Sequence, residues 1–136
     1  MKLVDLAPAA KAPAERFTGD VYLTPLHAGG APSRLVAALV HFTPGARTNW
    51  HSHVLGQTLW CTEGTGLVGT RDGTVILMRP GVTVHTPPGE EHWHGAVPES
   101  LMCHLAMGEH DNGQSATWLE PVTDLDYATA HTQAIR

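Results

Sequence analysis

The chain carries little charge. Asp, Glu, Lys and Arg make up only 15% of its 136 residues, and 8 basic residues face 13 acidic ones, for a formal net charge of -5. Without a basic stripe there is no footprint for nucleic acid. Long apolar runs are also missing, so no stretch approaches the length needed to span a bilayer. Residues Met1 to Leu6 include Asp5 and soon meet Pro8 and Pro13, so they lack the unbroken apolar core of a signal peptide. Cysteine is scarce. Cys61 and Cys103, with no secretory signal, are expected to stay reduced and buried. These absences predict a cytoplasmic protein that acts on small molecules, with no membrane partner. The length suits one domain.

What the chain does have is 14 glycines, 10 prolines and 10 histidines. Residues Met1 to Arg16 mix Ala, Pro and charge without a sustained period, and are expected to form an N-terminal arm suited to docking on a neighbouring subunit. From Phe17 to Val122, Gly and Pro cut short apolar runs at nearly regular intervals, the spacing of an antiparallel sandwich or barrel. The expected strands are Val21 to Leu26, Leu35 to Phe42, Asn49 to His53, Gln57 to Cys61, Gly66 to Thr70, Thr74 to Leu77, Val82 to Thr86, His92 to Val97, Leu101 to Met107 and Thr117 to Val122. Asp72-Gly73 predicts a two-residue hairpin turn. Residues Thr123 to Arg136 are expected to form a helical tail, with Thr123 as N-cap and Asp126 as its acidic partner.

The chemistry concentrates in two segments. Side chains alternate along a strand, so His51 and His53 share a face about 7 Å apart. Leu55-Gly56 leaves room for a turn or bulge that returns Gln57 toward them. His92, after Pro87-Pro88-Gly89, would close the set. Three imidazoles and one amide suit a first-row divalent ion, Mn, Fe, Co, Ni or Zn. All four donors are neutral, so such an ion would keep its full charge for whatever fills its open positions. The plain alternative is a group of ordinary surface or core histidines, since a His-x-His alone is weak and ten histidines make chance pairs common.

The two segments together carry a resemblance. Gly45-x5-His51-x-His53-x3-Gln57-x6-Gly64 resembles the first cupin motif, and Gly81-x5-Pro87-x-Gly89-x2-His92 resembles the second. Gln57 stands where the usual motif has Glu, and Ala96 where it often has Asn. The resemblance implies an all-β jelly roll, the double-stranded β-helix, with its metal inside the barrel. A longer match, through Phe17-Thr18-Gly19, Pro44 to Thr48, Trp50 to Leu59, Pro88 to Ala96 and His104-Leu105-Ala106, is similar to the bacterial cupin hydroxynitrile lyases. That similarity implies manganese first among the candidate ions. It also implies that Thr48, His94 and His104 line the active site, and that the chain assembles as a homodimer or homotetramer. Gly108 stands where the related lyases can carry Gln.

The residues add their own reading. His94 shares the face of His92, so it can either carry a proton or orient that ligand. His104 is the one strongly polar side chain in an apolar strand and needs a partner or a cavity. Thr48 can reach a substrate oxygen or merely pin its loop. Ala38, Val40 and Phe42 have one parity and are expected to line a substrate pocket, leaving His41 outside. Trp50 and Trp93 are expected in packing roles. Three functions fit: a metal-dependent lyase for cyanohydrins, a metal-dependent oxygenase or other small-molecule enzyme, and a ligand-binding barrel without catalysis.

Overall fold

A computed structural model describes residues 1–135. Two antiparallel sheets form a jelly roll, and a C-terminal helix packs across the outside of one of them. The first sheet contains β1 (Ala10–Lys11), β3 (Val21–His27), β4 (Leu35–Phe42), β7 (Gln57–Gly64), β10 (Thr83–Thr86) and β12 (Met102–Glu109). Their spatial order is β1-β3-β4-β12-β7-β10. The second sheet contains β2 (Phe17–Thr18), β5 (Arg47–Thr48), β6 (His51–His53), β8 (Gly66–Thr70), β9 (Val75–Met78), β11 (His92–Ala96) and β13 (Ala116–Trp118). Here β11 is the seam, pairing with β5 and β6 on one edge and with β8 on the other. No helix among the described residues is long and apolar enough to cross a membrane.

Inward positions are apolar at alternate residues, as a half-buried strand requires. Val40 and Phe42 of β4, Leu59 and Cys61 of β7, and Met102 of β12 are all buried in the barrel interior. A second core lies outside the seven-stranded sheet, where Trp50, Leu67, Trp93 and Val97 meet Val122, Tyr127 and Ala130. The helix α1 (Asp124–Ala134) covers it. Thr123 caps this helix as expected, its hydroxyl oxygen accepting from the Asp126 N–H at 3.1 Å. Both cysteines are free and buried, and Cys103 Sγ lies 2.8 Å from Nδ1 of the exposed His41. On the outer face of the first sheet, Leu39, Leu105 and Trp60 form one cross-strand row, with Trp60 44% exposed.

Four expectations change. Asn49 to His53 is not one strand, because the Asn49 amide donates to the Glu15 and Leu119 carbonyls at 2.9 and 3.1 Å and breaks the ladder there. The arm is partly claimed by its own chain, since Ala10 and Lys11 pair with Leu23 and Tyr22. The last expected strand stops at Trp118. The hairpin loop holds three residues: the Gly73 N–H donates to the Thr70 carbonyl, and only Gly73 takes a positive φ, at 86°. This is the geometry that a glycine bulge after a turn provides.

Candidate metal centre

The register between β6 and β11 sets His51 directly opposite His92. His53 lies two residues along β6 on the same face, as strand alternation demands. A tight turn then reverses the chain into β7. Its Gly56 has φ of 81°, and a Cβ there would sit 2.8 Å from the Thr86 carbonyl oxygen, so only glycine fits. The turn brings Gln57 back beside the histidines, with Oε1 3.3 Å from His92 Nε2.

Candidate ligand atoms of His51, His53 and His92 all fall within 4.8 Å of one another. Two of the rings are held by backbone carbonyls. His51 Nδ1–H donates to Asn49 O at 3.0 Å, and His92 Nδ1–H donates to Glu90 O at 2.9 Å. A carbonyl can only accept, so each Nδ1 carries the proton and each Nε2 keeps a lone pair. That is the outer-shell pattern which fixes metal-binding imidazoles. Nε2 of His53 is buried with no hydrogen-bond partner. A buried polar atom left unpaired is costly unless something else satisfies it, so this donor set fits a divalent ion.

Electrostatics agree. Burial, reinforced by the neighbouring His92, pushes His51 well below its ordinary value and His53 down to about 4. Burial lowers His92 as well. Neutral imidazole is the form that ligates metal.

Behind the triad, His94 and His104 form a buried pair, Nδ1 to Nε2 at 2.9 Å. Burial, and then the other histidines nearby, hold His94 well below its usual range. Burial takes His104 to about 3. The outer nitrogens of the pair, His94 Nε2 and His104 Nδ1, have no partner. Thr48 is buried, and its oxygen accepts the His94 backbone N–H at 3.2 Å.

A cavity of about 170 Å³ opens on this group. His51, His53, Gln57, His94 and Thr48 line one side of it, and Leu23, Val40 and Ala106 supply apolar wall. Of the three pocket residues expected from β4, Val40 lines the cavity. Phe42 lies behind it against His94 and His104, with ring centroids 5.8 and 5.4 Å away. Ala38, half-buried on the same face, is not part of the lining, and neither is His104. The remaining wall has no local signal in the sequence: Pro13, Arg16 and Phe17 come from the N-terminal end, and Trp118 from β13. Only the long-range pairing of Trp118 with His51 brings that indole to the site.

Arg47 turns away from the cavity, although Thr48 beside it faces in. The guanidinium is buried, donates to Val122 O at 2.9 and 3.3 Å, and stacks 4.5 Å from the Tyr127 ring centroid. It thereby clamps α1 to β5. Its contact with Asp124 adds little, because that carboxylate is almost fully exposed. Arg71 braces the approach to His92 in the same manner, stacking on Trp50 and pairing with Glu91 and Glu120.

Fold and site together define a small barrel whose interior presents a histidine triad able to hold a metal. The chain belongs to the cupin family: the model of the cupin domain matches residues 38–107. It is 45% identical over 127 residues, 93% of this chain and 97% of the relative, to an (R)-mandelonitrile lyase of Granulicella tundricola. Among solved structures, a cupin-like protein from Thermotoga maritima superimposes with a TM-score of 0.85 at 32% identity, covering 96% of this chain and 97% of that one. A polyketide cyclase from Streptomyces resistomycificus, at 18% identity and a TM-score of 0.72 over 96% of this chain and 98% of its own, shares the fold.

Proposed function

We propose that this cupin is a metal-dependent lyase that cleaves cyanohydrins to an aldehyde and hydrogen cyanide, and runs the reverse addition. The observation that carries the proposal is the convergence of three neutral imidazoles beside a buried His94–His104 pair on a small, largely apolar cavity. Likeness to a relative named as a mandelonitrile lyase supports the reaction class.

His51, His53, His92 and Gln57 are the proposed ligands, with manganese the first candidate and Fe, Co, Ni and Zn the others. A divalent ion held by four neutral groups supplies Lewis acid polarisation of a substrate oxygen. The chain's own residues do the rest. When His94 donates through Nδ1 to His104, its free Nε2 holds a lone pair at the cavity wall, placed to take the substrate's hydroxyl proton. The bond between the carbinol carbon and the nitrile carbon then breaks, its electron pair leaves with cyanide, and the oxygen becomes the aldehyde carbonyl. His94 returns its proton to cyanide, so protons balance over the cycle. Thr48 accepts from the backbone at its oxygen, which leaves the hydroxyl proton for a substrate oxygen. Val40, Leu23 and Ala106 hold the apolar body of the substrate and exclude water. A space near 150 Å³ is enough for a benzene-sized group.

A homodimer or homotetramer belongs to the proposal, supported by the exposed Trp60 beside the half-buried Leu39 and Leu105. The deciding experiment joins elemental analysis with a mandelonitrile cleavage assay before and after chelation. Activity lost on chelation and restored by manganese is the expected result. Bound metal with no cleavage under any ion would sink the lyase reading.

A further inference from the structure

We infer that Arg16 makes the cavity a recognition site for small carboxylates, so that the preferred substrates join an apolar body to a carboxylate. Among the described residues lining the cavity, Arg16 is the one with a permanent charge, and no described Asp or Glu shares the lining. Its guanidinium has no ion pair and no hydrogen bond among the described residues, although the protein as a whole is acidic. Arg34 and Arg71, by contrast, spend their charge on carboxylates, the first on Asp111 and the second on two glutamates.

The free guanidinium is also held in place. Its Cζ sits 5.3 Å from the Trp118 ring centroid, a cation–π distance. Trp118 in turn stacks on His51, with centroids 4.6 Å apart. Arg16 and His51 thus both lie against the Trp118 ring. A ligand whose reacting oxygen sits at the triad has a planar, fork-shaped donor in the wall of the same cavity. That fork matches the two oxygens of a carboxylate, whereas a linear anion such as cyanide takes only one of its two parallel hydrogen bonds, which favours carboxylates as the class. The apolar surfaces of Phe17, Leu23 and Val40 between the two ends suit a short hydrocarbon body.

The inference rests on the cavity being the substrate site, but its test does not require turnover. Ligand-observed NMR titrations of the full-length, chelated protein at pH 8 and low salt would compare benzoate with benzamide, which has the same shape and no charge. Wild type should favour benzoate by about fivefold, the size of an exposed ion pair, and Arg16→Gln should erase the difference. Raising the salt should erode the preference in wild type alone. Equal binding of the two probes by wild type, or a preference that survives in Arg16→Gln, overturns the inference. If mandelonitrile is not cleaved while the benzoate preference holds, the lyase reading falls and the carboxylate site stands. If it is cleaved and the preference is missing, the carboxylate site falls and the lyase reading stands.

Discussion

Trp118 lies flat against His51, their planes inclined by only 24°. The indole therefore fixes the plane of a candidate ligand whose Nδ1 is already tied to Asn49. Removing it in Trp118→Ala should weaken metal binding by about tenfold, the lower end of what lost outer-shell partners cost. Competition with a chelator of known affinity measures this, with circular dichroism to verify the fold.

His53→Ala should abolish stoichiometric metal loading and leave the barrel folded. The ring's Nε2 makes no hydrogen bond that the fold needs, and the barrel interior is held by apolar side chains. Elemental analysis that still finds one ion per chain would exclude His53 as a ligand.

Gln57→Glu should tighten metal binding and slow cyanohydrin turnover. A carboxylate at the position of Oε1, beside His92 Nε2, would neutralise part of the ion's charge and reduce its pull on the substrate oxygen. Unchanged turnover with tighter binding would show that the neutral amide has no special role.

Acid should destabilise the metal-free protein. Burial holds His53 at about 4 and His104 at about 3, whereas unfolded histidine titrates near 6.5. Below about pH 6.5 the unfolded chain binds protons that the folded chain refuses, so stability rises with pH across this window. It is complete above the unfolded value and drains as pH falls through the folded ones. Urea midpoints of chelated protein should drop steadily from about pH 7 toward pH 4. A flat profile would contradict the burial of these rings.

Arg47→Ala should cost about 2–3 kcal/mol, the scale of lost hydrogen bonds to a buried charged group. Its buried partner is the Val122 carbonyl, while its contact with Asp124 is to an almost fully exposed carboxylate, so Asp124→Ala should change stability far less. Thermal unfolding of the two variants tests the ranking.

Most of the candidate ligand set was legible because strand alternation is a local rule. His51 and His53 had to share a face, and Gly56 marked the reversal that returns Gln57. His94 followed His92 by the same rule, and Thr123 announced the helix. What escaped depends on contacts between distant segments. Nothing in the order of residues says that Ala10 pairs with Leu23, or that the Asn49 amide reaches two neighbouring carbonyls and splits a strand. Parity set Ala38, Val40 and Phe42 on one face but not at one depth, and only Val40 meets the cavity. Arg16 and Trp118 were invisible as a pair, since nearly the whole barrel lies between them in the chain before the fold stacks one on the other.

The clamp on the C-terminal helix has a consequence for how sequence variation acts. A single peptide link divides the residue that grips Val122 from the threonine that lines the cavity. Damage in the helix can thus reach the candidate metal centre through one joint. Inactivating substitutions in this protein should be sought in the helix and its anchor as well as among the histidines.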